Sequence, residues 1–319
     1  MLRLSFIVPF YNVEPYIEEC IRSLYAQDIP WEEYEVICVD DCSLDGSRAI
    51  VEHLQKEYPT LRLLTTSENL RQGGARNKAL DVAEGKYICF VDSDDYLKSN
   101  SLKKLLDLAE KNNLEILDFD FDSGVIGELK GMRKNKESYS MGVCTGTDYI
   151  FDTRSRWASK CSCVCAMLIS KNFLDNYSLR FVEKKQYEDT DFAIKMFAFA
   201  ERIMHLGDKL YFYRYVENSA THAININYTN LLYRVELLKR LIEAYDLLKA
   251  KLWKKAVAEL IRYEVNRLLL DLRKANLDCR RSFYQNRLGR IKSIKPFVGK
   301  KIRMALKSKF CLYLFFKKK

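Results

Sequence analysis

The sequence predicts an α/β fold: a mixed, mainly parallel sheet flanked by helices, followed by a C-terminal helical extension. Three observations predict it. Short apolar runs alternate with helical patterns through the first hundred residues, polar residues gather just after those runs, and leucines recur at helical spacing beyond Tyr228. Alternation of this kind implies strands joined by helical crossovers and therefore a parallel sheet.

The elements follow in order. Leu4–Val8, Glu35–Asp40, Leu61–Thr65 and Lys86–Val91 have strand length, and the segments 15–26, 45–57 and 72–83 between them carry helical patterns. Pro15 suits a first helical turn, and Asp45 with Arg48 beyond it suits a capped start. The region from Asn113 to Tyr215 is less regular, with a Gly-rich turn near Gly124–Gly131, a strand-like run at Cys163–Ile169 and a helical stretch at Phe192–Ala200. From Tyr228 to Leu272 the spacing of Leu231, Val235, Leu238, Ile242 and Tyr245 is helical.

Charge is unevenly placed. The net charge is +10, yet Arg280 to Lys319 holds fourteen Lys and Arg residues and no Asp or Glu, so the rest of the chain is slightly acidic. The tail interleaves this charge with Phe297, Ile302, Leu306, Phe310, Leu312, Leu314, Phe315 and Phe316. Such a pattern suits an amphipathic segment on an anionic membrane surface better than a nucleic-acid site, the plain alternative being a solvated tail. No run approaches the roughly 20 apolar residues of a membrane span, and Pro9 and Asn12 interrupt the apolar N-terminus short of a signal-peptide core. Ten cysteines occur without a C-x-x-C pair and with only three histidines, which argues against zinc and for free thiols in a reducing compartment.

In parallel α/β sheets ligands bind beyond the carboxyl ends of the strands, and there the chain places three polar clusters. Val91-Asp92-Ser93-Asp94-Asp95 sets three carboxylates within four residues, which repel one another unless a cation offsets them. Hard oxygen donors suit Mg²⁺ or Mn²⁺, which complete their shells with phosphate oxygens and water. The alternative is a solvated acidic turn capping a helix that starts near Leu97. Asp40-Asp41 follows Val36–Val39 and is read either as a ribose or base acceptor or as a turn-capping pair. Asn69–Asn77 carries the paired Gly73 and Gly74 with Arg71 and Arg76, read either as a phosphate-binding loop or as a tight turn.

Taken in series, Ser5–Asn12, Val39–Ser47, Asn69–Asn77 and Val91–Asp95 resemble family 2 glycosyltransferases, which are inverting enzymes of the GT-A (nucleotide-diphospho-sugar transferase) fold. The likeness is close over the first hundred residues and looser to about Ser219. Cys42 stands where the family usually has Gly, and Leu70 where Gly is common. The resemblance implies that Pro9, Tyr11, Asn12, Asp40 and Arg71 hold the nucleotide of a nucleotide-sugar donor. It also implies that Asp92 lies at the ribose and metal region, and that Asp94 ligates a Mn²⁺ or Mg²⁺ bridging the diphosphate. Within Tyr187–Phe192 it makes Asp189 the base and Glu188 its support in acceptor binding; a plain acidic helix start explains the same charges.

Further along, Tyr211–Arg214 and Asn218–His222 resemble the segment that closes over the donor, with Arg214 or His222 in reach of a phosphate. Trp157 and Lys160 are candidates for the acceptor pocket. Arg156-Trp157 does not complete the Q-x-x-R-W signature of processive synthases, since residue 153 is Thr. The resemblance thus implies non-processive transfer from a UDP-type sugar to a glycan or lipid-linked acceptor in bacterial cell-surface polysaccharide synthesis, on the cytoplasmic side. Residues 1–112 would form the donor half, 113–222 the acceptor and catalytic half, and 223–319 a helical region with the basic tail. Two rivals carry different signatures. A sugar nucleotidyltransferase needs a Gly-rich basic loop after the first strand, where this chain has Val13-Glu14-Pro15; an inactive binding protein has no need of Asp92, Asp94, Glu188 and Asp189 together.

Overall fold

The structure is a computed structural model, and it describes residues 2–124, 139–152, 163–216, 227–247 and 251–283. The basic tail, Trp157, Lys160 and the Asn218–His222 segment lie outside the described residues. The chain divides into two compact units, one essentially residues 1–216 and the other the C-terminal helices.

The first unit is built on a sheet of nine strands among the described residues: β1 Leu4–Phe10, β2 Tyr34–Asp40, β3 Leu61–Thr65, β4 Tyr87–Phe90, β5 Tyr96–Leu97, β6 Ile116–Gly124, β7 Met141–Cys144, β8 Met167–Ser170 and β9 Ile203–Arg214. They run in the order β3-β2-β1-β4-β8-β6-β9-β5, with β7 on β9. The first four are mutually parallel, β6 is parallel to β9, and β8 runs antiparallel between β4 and β6. β1 and β2 are buried along their whole lengths, which is why they read as continuous apolar runs instead of alternating ones.

Helices α1 Ile17–Tyr25, α2 Ser47–Leu54, α3 Arg71–Leu80 and α4 Leu102–Lys111 follow, then α5 Gly146–Phe151, α6 Lys171–Asn176 and α7 Glu188–Phe199. α1 buries Ile17, Cys20, Ile21 and Leu24, the stripe of an amphipathic helix. Pro15 sits in the turn before α1 instead of inside it. α2 is capped by Gly46, which has no side chain to bond the helix; Asp45, one residue earlier, accepts the Ser47 N–H (3.0 Å) and the Ser47 hydroxyl (2.6 Å) with its Oδ1.

Two expected helix starts are displaced. The chain after Asp95 does not enter a helix near Leu97; it forms β5, paired antiparallel with β9, and the helix begins at Leu102. The helix expected from Phe192 begins at Glu188, so Glu188, Asp189 and Asp191 occupy its first turn, where acidic side chains meet the positive end of the helix. The eight cysteines among the described residues are all free.

In the second unit, α8 Tyr228–Leu247 and α9 Lys251–Lys274 bury Leu231, Val235, Leu238 and Leu241 on one side and Val257, Leu260, Ile261 and Leu268 on the other. Among the described residues no helix is long and apolar enough to cross a membrane.

Candidate active site

The loops after β1 and β2 are tied to each other at the carboxyl edge of the sheet. Pro9 is buried near the end of β1, and Tyr11 beyond it is 45% exposed. Asn12 takes a left-handed backbone (φ 53°); its N–H donates to Ser43 Oγ (3.1 Å) and its Oδ1 accepts the Leu44 N–H (2.7 Å). Cys42, at the position where Gly was expected, also lies in the left-handed region (φ 69°), so a β-carbon is carried where glycine would be unstrained.

Asp40 is buried, accepts the Ser43 N–H at 2.8 Å and lies 3.6 Å from the Arg48 guanidinium. Asp41 accepts the Thr66 hydroxyl and the Leu70 N–H, both at 2.8 Å, and so fastens the start of α3 to the end of β2. Arg71 opens α3 with φ 61°.

The acidic cluster at the end of β4 is shaped from below. Tyr211 of β9 donates its hydroxyl to Asp95 Oδ2 (2.6 Å) and accepts the Asp92 N–H (3.1 Å). Arg214 gives its N–H to Asp95 Oδ1 (2.8 Å) and its Nε to the Asp94 carbonyl (2.7 Å), and its guanidinium is held by Glu19 and the rings of Tyr16 and Tyr96. Asp95 is therefore an internal anchor, and burial together with Asp92 and Asp94 pushes its carboxyl well above the usual range. Burial and the Asp92 charge push Asp94 up to about 6. Two unlike acids result, one sunk into the sheet and one at its edge.

The residue that joins this cluster to the distant Glu188-Asp189 pair is Arg76 of α3, whose side chain is 0% exposed. Its Nη2 donates to Asp92 Oδ1 (2.8 Å), and its Nη1 to Glu188 Oε1 (3.0 Å) and Asp189 Oδ1 (2.6 Å). The guanidinium lies 5.2 Å from the Phe181 ring centroid and 6.0 Å from that of Phe90. Asp92 and Asp189 keep 24% and 17% of their side-chain surfaces open, whereas Glu188 is buried against Arg76. Burial pushes the Asp189 carboxyl well up, opposed by the Arg76 charge and reinforced by Glu188 and Asp92. Tyr187, just before the pair, is left-handed (φ 61°), a non-glycine strain of the kind found where surrounding structure fixes a reactive side chain.

Two sequence readings change here. Gly73 does not make room for a ligand: a β-carbon there would stand 2.8 Å from the Val182 carbonyl and 3.0 Å from Glu188 Cγ, so the glycine admits the chain that carries Glu188. Arg76 is consumed by three carboxylates and is not a phosphate ligand. α3 is buried from Gly73 to Asn77 and at Ala79 and Leu80, and a charge buried in such a helix needs partners. Asp95 and Tyr211 left no signal in the sequence, because their pairing depends on how β9 is registered. The structure also holds a cavity of about 510 Å³ at the amino end of β4, lined by residues including Lys86, Glu115 and Asp175 and by none of the candidate site residues.

Residues 5–177, more than half of the chain, match the sequence profile of Glycosyl transferase family 2. The chain belongs to glycosyl transferase family 2. Within the family it is 33% identical over 217 residues to the poly(ribitol-phosphate) beta-N-acetylglucosaminyltransferase TarS of Staphylococcus aureus, covering 67% of this chain and 35% of TarS. It is 37% identical over 148 residues to a poly(ribitol-phosphate) beta-glucosyltransferase of Bacillus spizizenii (46% of this chain, 22% of that one). It is 33% identical over 223 residues to the uncharacterized glycosyltransferase EpsJ of Bacillus subtilis (68% and 62%). The chain thus spans less than two thirds of the length of each of these relatives. The crystal structure of S. aureus TarS 1–349 in complex with UDP-GlcNAc shares the fold at a TM-score of 0.72 and 24% identity, over 99% of this chain and 89% of that one. A Pyrobaculum calidifontis mannosyltransferase in complex with GDP-Man and Mn²⁺ aligns at a TM-score of 0.57 and 17% identity, covering 99% and 87%. The fold is GT-A.

Proposed function

We propose that this glycosyltransferase moves a sugar, with inversion and one unit at a time, from a UDP-sugar to a hydroxyl of a glycan or lipid-linked acceptor in bacterial cell-surface polysaccharide synthesis. The observation that carries the reading is the juxtaposition, through one buried guanidinium, of the strand-end acid Asp92 with the helix-start acid Asp189. Donor chemistry and acceptor activation need charged groups on opposite sides of one reacting carbon, and these two acids come from different halves of the unit. The wall-polymer transferases among the relatives support the substrate class, and the UDP-GlcNAc complex of TarS supports the nucleotide.

In this reading Tyr11, Asn12, Asp40 and Arg71, with Pro9 shaping the loop, line the nucleotide at the carboxyl edge of β1 and β2. Asp189 takes the proton from the acceptor hydroxyl as its oxygen bonds to the anomeric carbon. The carbon–oxygen bond to the diphosphate breaks, and its electron pair leaves on the phosphate. A base with a raised affinity for protons suits this task, because proton transfer is most efficient when the base is poised near the working pH. Glu188, bonded to Arg76, supports the base.

The residues present fit a divalent cation. Among the described residues no group of three or more His, Cys, Asp or Glu is arranged to hold a metal; in this reading Asp92 and Asp94 would supply two carboxylates. Mg²⁺ and Mn²⁺ accept such sparse protein ligation when phosphate oxygens fill the shell. Burial and the Asp92 charge raise Asp94, and a dication would offset the second of these. Bound there, the ion would offset charge developing on the departing nucleoside diphosphate. Residues 1–112 then serve as donor half and 113–222 as acceptor half, and the basic tail of the 223–319 region serves to hold the enzyme at the cytoplasmic membrane face.

A screen of UDP-, GDP- and CDP-sugars tests the reading. Release of UDP from a UDP-sugar in the presence of Mn²⁺, abolished by chelator and by Asp94→Ala, is expected. Release of pyrophosphate from a sugar phosphate and UTP would point to a nucleotidyltransferase instead.

A further inference from the structure

We infer that Arg76 is a positioning residue that holds the base Asp189 in fixed relation to the donor-side Asp92; the inference rests on the base assignment proposed above. Three features of the geometry lead to it. The guanidinium is wholly buried and its two terminal nitrogens divide their bonds between the halves of the site, Nη2 to Asp92 and Nη1 to Glu188 and Asp189. Its plane is set by rings: Phe181 stacks on Phe192 at 4.0 Å, Phe90 meets both edge-on, and Arg76 lies over Phe181 and Phe90. Its Nε, also buried, has no hydrogen-bond partner among the described residues.

An arginine placed only to stabilise a core would be expected to satisfy that third donor, since an unmet buried donor is costly. Here the side chain is spent on spanning three acids, a task for which a planar fork is suited and a point charge is not. The relative placement of Asp189 and Asp92 is thus fixed through a single rigid group, and a loss of geometry of about 1 Å at a reacting centre lowers rate on the order of a hundredfold.

Arg76→Lys keeps the charge and loses the fork. With UDP-GlcNAc as donor and water as acceptor, UDP release by this variant should fall about a hundredfold in kcat while KM for the donor stays within about threefold. In an Asp189→Asn background the same substitution should add little, because its effect passes through Asp189. Phe181→Leu, which leaves all three ion pairs and removes the ring beneath the guanidinium, should lower kcat several-fold at unchanged KM, and covers the case in which Arg76→Lys does not fold. Loss of activity in Asp189→Asn with wild-type kcat in both Arg76→Lys and Phe181→Leu overturns this inference alone. A full additional loss in the Asp189→Asn background overturns it too. Normal turnover by Asp189→Asn overturns the base assignment and this inference with it.

Discussion

Two buried arginines, one in each unit, meet carboxylates in different ways. In the C-terminal unit Arg234 of α8 bonds Glu264 (2.6 Å) and Asp271 (2.7 Å) of α9; its side chain is 5% exposed and that of Glu264 is 4%. In the first unit Arg76 meets three carboxylates, two of which open toward solvent. The first arrangement joins two helices, and burial of Glu264 raises its pKa against the pull of Arg234. The second leaves an excess of negative charge at the carboxyl edge of a sheet, beside Asp94. The clasp sets two acids, one of them buried, against one arginine, whereas the site sets three acids against one arginine with Asp94 beside them, an excess of negative charge for a cation to offset.

The contrast can be broken in three ways. Arg234→Met strands the buried Glu264 together with the partly open Asp271, and breaking a buried pair in this way costs about 3–5 kcal/mol. It should lower the melting temperature strongly in calorimetry yet leave UDP affinity unchanged. Gly73→Ala would push on the Val182 carbonyl and Glu188, an overpacking cost of about 1–3 kcal/mol. Its turnover should fall more than its donor affinity, since Glu188 moves and the nucleotide loops do not; equal loss of both would detach Glu188 from the chemistry. The third handle is pH. With Asp94 pushed up to about 6, the proton competes with a cation below that pH and not above it. Mn²⁺-supported UDP binding should therefore weaken up to about tenfold per unit as pH falls below 6, roughly 1.4 kcal/mol per unit. An Asp94→Asn variant titrated in the same way should lack this dependence.

The first hundred residues were legible because each strand and helix there is a local pattern, and most of the candidate site residues lie at or just beyond a strand end. Asp92, Asp94, Asp40 and Asn12 sit at that edge as read. Arg76 was visible but its role was left open, since two arginines in a Gly-rich segment look alike until one is found wholly buried in α3. The start of α7 was placed four residues late because Glu188, Asp189 and Asp191 interrupt the apolar pattern that marks a helix interior. Asp95 and Tyr211 were out of reach in principle: their bond links residues 116 positions apart and depends on the pairing of β5 with β9. Local sequence carries periodicity and caps, and it does not carry register between distant strands.

The most direct test of the site as a transferase centre is Asp189→Asn, which keeps size and hydrogen-bonding reach while removing the base. UDP binding with Mn²⁺ within about threefold of wild type, together with a fall in sugar transfer on the order of a thousandfold, is expected, since a positioned base contributes about 10²–10⁴-fold. Turnover at the wild-type rate would contradict the assignment of Asp189 as the base.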